Sequence, residues 1–199
     1  FYVKINILMK GKFFFKFKAI GLENIPKNTA VILAPNHASY FDPIFSGVGF
    51  PGSLSYMARD SLFKKFIFGN IIRIYNAFPI KRGAIDRSAI RMAAERLNKG
   101  LSVLVFPEGT RSKDGKLGEA KPGLGLIALN TDKPIVPAYI KGSFDVWPKG
   151  AKMIKFRKVS IYFGKPIYVK DIKFDEHASF SDKCRKLSEI VMEGIQNLC

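Results

Sequence analysis

The chain holds two histidines, His37 and His177. His37 lies in Asn36-His37-Ala38-Ser39-Tyr40-Phe41-Asp42. An apolar run, Ala30 to Ala34, comes just before and reads as a short buried strand. Asp42-Pro43 reads as a helix start, with Asp as N-cap and Pro at the first helical position. His37 is therefore expected in a turn past the carboxyl end of a strand, the edge where open α/β sheets bind ligands. One turn can fold the imidazole onto the Asp42 carboxylate. A neutral imidazole whose other nitrogen donates to a carboxylate is fixed in one tautomer and ready to take a proton. The plainer alternative keeps Asp42 as a cap and His37 as a turn residue bonded to backbone.

Two more apolar runs end in polar turns. Phe78 to Ile80 leads to Lys81-Arg82-Gly83, and Ser102 to Phe106 leads to Pro107-Glu108-Gly109-Thr110-Arg111-Ser112. In a parallel sheet all three turns share one edge. His37 and Asp42 would then meet Lys81, Arg82, Glu108, Thr110 and Arg111. A base oriented by a carboxylate would lie beside cations suited to a phosphate. Arginine offers a fork that matches phosphate geometry, and glycines at 83 and 109 let backbone approach closely. Surface ion pairing is the alternative for Arg82 and Arg111.

Other reactive side chains read as structural. Ser39 reads as a turn hydroxyl, because nothing around it forms a nucleophile elbow. Asn36 is expected to hold the turn. Cys184 falls on a terminal amphipathic helix and reads as buried, and His177, in Asp175-Glu176-His177, as a solvated residue. Lys121 reads as a solvated lysine, with a share in the phosphate site as the alternative. Cys184 and Cys199 have no metal-ligand spacing and no disulfide framework, so a reducing compartment is the default. No metal or cofactor is expected.

These turns need strands and helices to position them. Strands are expected near 54–58, 78–80, 102–106, 135–140 and 159–163. Helices are expected near 43–48, 61–75, 86–99, 122–131 and 180–198. Their alternation points to one α/β domain, a mixed and mostly parallel sheet flanked by helices. The 86–99 helix is the clearest: Asp86 can cap it, Ile90, Ala93, Ala94 and Leu97 line one face, and Gly100 stops it. The 61–75 helix is unusually apolar and carries Lys64, Lys65 and Arg73. It reads as a core helix, with a helix lying in a membrane interface as the sharper alternative.

Lys and Arg number 33 against 16 Asp and Glu, a net charge of +17 that implies an anionic partner. Eighteen Phe beside so many cations suit a lipid surface at least as well as a nucleic acid. No aromatic RNA-binding block, zinc spacing or basic helix supports nucleic acid, and none is expected as a partner. Residues 12–18 alternate, with Phe13, Phe15 and Phe17 on one face, which reads as a strand. Residues 1–22 hold five Lys and no acid, so this end is expected to meet anionic headgroups, with Phe entering the interface. A lysine-protected edge strand is the alternative. Residues 1–11 read as the end of an N-terminal helix or membrane-associated segment, and 12–199 as the working domain. The chain opens on Phe1 and not on Met, so a longer protein is expected.

Asn36-His37-x4-Asp42 together with Phe106-Pro107-Glu108-Gly109-Thr110-Arg111-Ser112 resembles two blocks of the glycerolipid acyltransferase family, and most closely its 1-acyl-sn-glycerol-3-phosphate acyltransferases. Between and after them, Phe78-Pro79-Ile80-Lys81-Arg82 resembles a second block ending in Arg, and Ile135-Val136-Pro137-Ala138 an apolar fourth. Gly21-Leu22-Glu23-Asn24-Ile25-Pro26 resembles the lead-in. The resemblance implies transfer of a fatty acyl group from acyl-CoA or acyl-ACP to lysophosphatidic acid, giving phosphatidic acid. His37 would be the general base and Asp42 its orienter. Arg82, Glu108, Gly109, Thr110 and Arg111 would form the acceptor site, with the arginines on the phosphate. The family fold is an αβ domain at a membrane surface, here on the cytoplasmic face, peripheral or anchored through an N-terminal segment. Glycerol 3-phosphate or another lysolipid stays open as acceptor, as does a non-catalytic lipid- or nucleic-acid-binding module.

Overall fold

The computed structural model describes residues 15–81 and 86–199, the side chain of Phe68 excepted. In chain order the elements are β1 (Lys18–Ile20), β2 (Ile32–Pro35), α1 (Asp42–Gly49), β3 (Leu54–Arg59), α2 (Asp60–Phe63), α3 (Phe66–Ile74) and β4 (Ala77–Ile80). They continue with α4 (Arg87–Asn98), β5 (Ser102–Leu104), α5 (Gly123–Thr131), β6 (Ile135–Lys141), β7 (Ser160–Phe163) and α6 (Phe180–Gln196). Seven strands form one sheet in the order β1-β7-β6-β2-β5-β3-β4. All neighbours are parallel except β6 and β7. This is the expected single α/β domain with a mixed, mostly parallel sheet.

The strands at the centre are apolar on both faces because helices cover both faces. From β2, Leu33 joins one core layer with Phe45 of α1, Leu104, Val136 and Ile161. Ile32 and Ala34 join the other, with Leu97 of α4, Ile127 of α5 and Leu187 of α6. Pro79 is tolerated because β4 is the outermost strand. Asp86 caps α4 as predicted, accepting from the N–H groups of Ser88 and Ala89. It also accepts from Lys81 N–H at 2.7 Å, and these bonds hold its carboxyl down at about 2.

Three expectations change. Residues 12–14, and the segment 1–11, lie outside the described residues. Of the rest of the 12–18 run, only Lys18 is strand. Phe15 and Phe17 are buried, and both rings pack on Phe45 of α1, at 5.3 and 5.8 Å between centroids. Their shared face meets the core, not a lipid interface, because α1 offers an aromatic surface there. The predicted 61–75 helix is broken at Lys64 and Lys65 into α2 and α3. Finally, α3 is no core helix: Phe66, Ile67, Ile71 and Ile74 are exposed, since α3 flanks the last strand of the sheet. No helix among the described residues is long and apolar enough to cross a membrane.

Candidate active site

Parallel pairing puts the carboxyl ends of β2, β5, β3 and β4 on one edge. The turn after β2 carries His37, and the loop after β5 carries Glu108 to Arg111. Proximity in the sheet thus brings together residues about 70 positions apart, as the sequence reading required.

His37 Nδ1 lies 2.9 Å from Asp42 Oδ2. The same oxygen accepts from Ala38 N–H at 2.7 Å and Ser39 N–H at 2.6 Å. An oxygen receiving two donors takes a third donor from the ring, so Nδ1 carries hydrogen and Nε2 is the basic nitrogen. Asp42 is fully buried and His37 nearly so, with 12% of its side chain exposed. Asp42 Oδ1 has no hydrogen-bond partner among the described residues, so burial of this carboxylate is offset at Oδ2 alone. Asp42 opens α1 but does not cap it. Its side chain turns back onto the preceding turn, so the simple cap reading fails.

The loop after β5 grips the histidine on three sides. Glu108 Oε1 accepts from His37 N–H at 2.7 Å, and Ser112 N–H donates to His37 carbonyl at 2.7 Å. The Phe106 ring stacks on the imidazole, 3.8 Å between centroids and 14° from parallel. Glu108 Oε2 accepts from Gly118 N–H at 3.0 Å. Glu108 is buried, which pushes its carboxyl above the ordinary range. The two N–H bonds pull it down, and the nearby Asp42 charge adds to the upward push. Both Glu108 oxygens are therefore engaged with backbone, and the residue clamps the His37 turn to the 106–118 loop.

The family model described as Acyltransferase matches residues 16–141. The chain belongs to this acyltransferase family. It is 33% identical over 161 residues to the chloroplastic 1-acyl-sn-glycerol-3-phosphate acyltransferase of Brassica napus, matching 78% of this chain and 46% of that protein. It is 30% identical over 183 residues to the 1-acyl-sn-glycerol-3-phosphate acyltransferase of Bacillus subtilis, matching 91% of this chain and 87% of that one. Thus the match spans less than half the length of the Brassica napus protein and most of the Bacillus subtilis one. The crystal structure of the 1-acyl-sn-glycerophosphate (LPA) acyltransferase PlsC from Thermotoga maritima superposes with a TM-score of 0.78 at 32% identity, over 99% of this chain and 80% of that one.

Of the other expected site residues in this acyltransferase-family chain, Arg111 meets the histidine turn through Tyr40, whereas Lys81 follows β4, which β5 and β3 separate from β2, so the sheet does not bring it to His37. Gly109 adopts a left-handed backbone, φ 66°, beside the Lys121 stem: a Cβ at 109 would meet Lys121 Cγ at 3.5 Å. Thr110 is exposed. The Arg111 guanidinium carbon lies 3.5 Å from the centroid of the Tyr40 ring, and Tyr40 in turn meets Trp147 at 4.9 Å. That stack holds Arg111 at the mouth of the turn. Lys81 is exposed and its N–H is fixed by Asp86. Arg82 and Gly83 lie outside the described residues.

Asn36 holds the turn, accepting from Ile140 N–H at 2.7 Å. Ser39 Oγ donates to the Trp147 carbonyl and accepts from Phe41 N–H. Its hydroxyl is thus a turn group, as expected. Burial pushes the Cys184 thiol up, the opposite of what a nucleophile needs. His177 is exposed on the surface. Sequence reasoning missed Phe106, Tyr40 and Trp147. Phe106 and Tyr40 stand inside the two motifs and could have been flagged as aromatic neighbours of His37 and Arg111. Trp147 carries no local signal of this role, because the turn residues it meets, Ser39 and Tyr40, lie more than 100 residues earlier.

Proposed function

We propose that this chain transfers a fatty acyl group from acyl-CoA or acyl-ACP to the free hydroxyl of lysophosphatidic acid. The His37–Asp42 pair, at the sheet edge in a chain of this family, is the observation that carries the reading. The names of the relatives supply the acceptor. His37 Nε2 takes the proton of the acceptor hydroxyl as its oxygen attacks the thioester carbonyl carbon. Asp42 stabilises the imidazolium through Nδ1–H and does not take its proton. The tetrahedral intermediate collapses, the carbon–sulfur bond breaks, and the imidazolium protonates the leaving thiolate. The products are phosphatidic acid and a free thiol. Arg111 and Arg82 meet the acceptor phosphate, with Gly109 and Thr110 lining the approach. Glu108 acts by holding the turn.

Thiol release from each donor, with and without lysophosphatidic acid, tests this. Acceptor-dependent release is expected in the wild type and its loss in a folded His37→Ala variant. Release that persists in His37→Ala would refute His37 as the base. Release that needs glycerol 3-phosphate or a different lysolipid instead would replace the acceptor.

A further inference from the structure

We propose that the exposed face of α3 docks the protein on an anionic phospholipid surface. Among the described residues, Phe66 (85% exposed), Ile74 (79%) and Ile67 (75%) are three of the four most exposed large apolar side chains. At 100° per residue, positions 66, 67, 71 and 74 share one side of the helix. The side facing the protein holds buried Gly69, where a Cβ would lie 2.6 Å from the Phe63 carbonyl oxygen. Backbone proximity there seats α3 on α2 and leaves the apolar stripe outward.

Charge selects the occupant. From Ser61 to Lys81 the chain has no Asp or Glu, and it carries Lys64, Lys65, Arg73 and Lys81. Lys64 and Lys65 lead into the helix, and Arg73 flanks the stripe. A second copy packed through the same face would oppose like charges. An interface of anionic headgroups over acyl chains takes both features at once: the apolar stripe enters the interface while the basic heads meet phosphate. The amino end of α3 follows α2 directly from the carboxyl end of β3, the edge that also carries His37. Docking through α3 therefore places that edge near the lipid surface, whichever acceptor the site takes.

The test reads position 74 itself. An environment-sensitive nitrobenzoxadiazole dye is attached at Ile74→Cys in a Cys199→Ser background, where Cys184 is buried. A control carries it at Glu189→Cys, exposed on α6. Vesicles of phosphatidylglycerol with phosphatidylcholine are expected to shift emission to the blue at 74 and to shield the dye from aqueous iodide. Pure phosphatidylcholine, high salt and the dye at 189 are expected to show neither effect. Lys64→Glu with Lys65→Glu is expected to weaken vesicle binding by at least about thirtyfold. Three outcomes overturn the proposal: no change at 74 while the protein sediments with vesicles, no binding to anionic vesicles at all, or a blue shift at 74 that grows with protein concentration without lipid, which would assign the face to a second copy. No turnover is measured, so failure here is distinct from failure of the acyl-transfer reading.

Discussion

Two nine-residue helices, α3 and α5, are both rich in large apolar residues and meet opposite fates. α5 buries Leu124, Gly125, Ile127 and Ala128. It packs on α6 so closely that a Cβ at Gly125 would lie 2.0 Å from the Cys184 carbonyl oxygen. α3 shows Phe66, Ile67 and Ile74 to solvent. Composition does not separate them; place in the sheet does. α5 crosses the middle, between α4 and α6, where neighbours cover it. α3 flanks β4, the last strand, where no further strand among the described residues extends the sheet to cover it. The contrast extends to the turns. The turn after β2 is fixed from both sides by the neighbouring strands and the 106–118 loop, which is what the base proposed for His37 requires.

The contrast breaks if central and peripheral substitutions cost the same. The largest expected effect is at the central turn. His37→Ala should lower kcat/KM for acyl transfer by about 10²–10⁴-fold in a variant that still folds. An equal loss from Ile74→Ala, assayed with a soluble short-chain acceptor, would erase the distinction. Next comes stability measured by urea unfolding. Ile127→Ala should cost about 2–5 kcal/mol, because it opens a cavity in a packed layer. Ile74→Ala should stay within about 0.5 kcal/mol, because that side chain is already in water.

A smaller effect belongs to the cap of α4. Asp86→Ala should cost about 1 kcal/mol near neutral pH. Its folded pKa, about 2, lies below the ordinary carboxylate value, so the stabilisation is present above pH 4 and is lost as pH falls toward 2. The gap between wild type and variant should close over that window in acid-unfolding curves. A further small effect is expected at Tyr40. Tyr40→Leu removes the ring under Arg111 and should raise KM for a phosphate-bearing acceptor by roughly two- to fivefold with little change in kcat. A comparable rise for an acceptor without phosphate would detach Arg111 from phosphate binding.

The sequence by itself determined the alternation of strands and helices, the cap at Asp86 and the turn that folds His37 onto Asp42. Each of these depends on residues within a few positions of one another, so local periodicity and turn chemistry suffice. It also marked the 106–112 loop as a second part of the candidate site. Only the tertiary structure decided that Glu108 spends both carboxylate oxygens on the N–H groups of His37 and Gly118, that Phe106 stacks on the imidazole, and that Trp147 backs Tyr40. Only it decided that Phe15 and Phe17 belong to the core while Phe66 and Ile74 do not. Burial is a property of what lies opposite a side chain, and what lies opposite is set by strand order, which joins residues far apart in the chain.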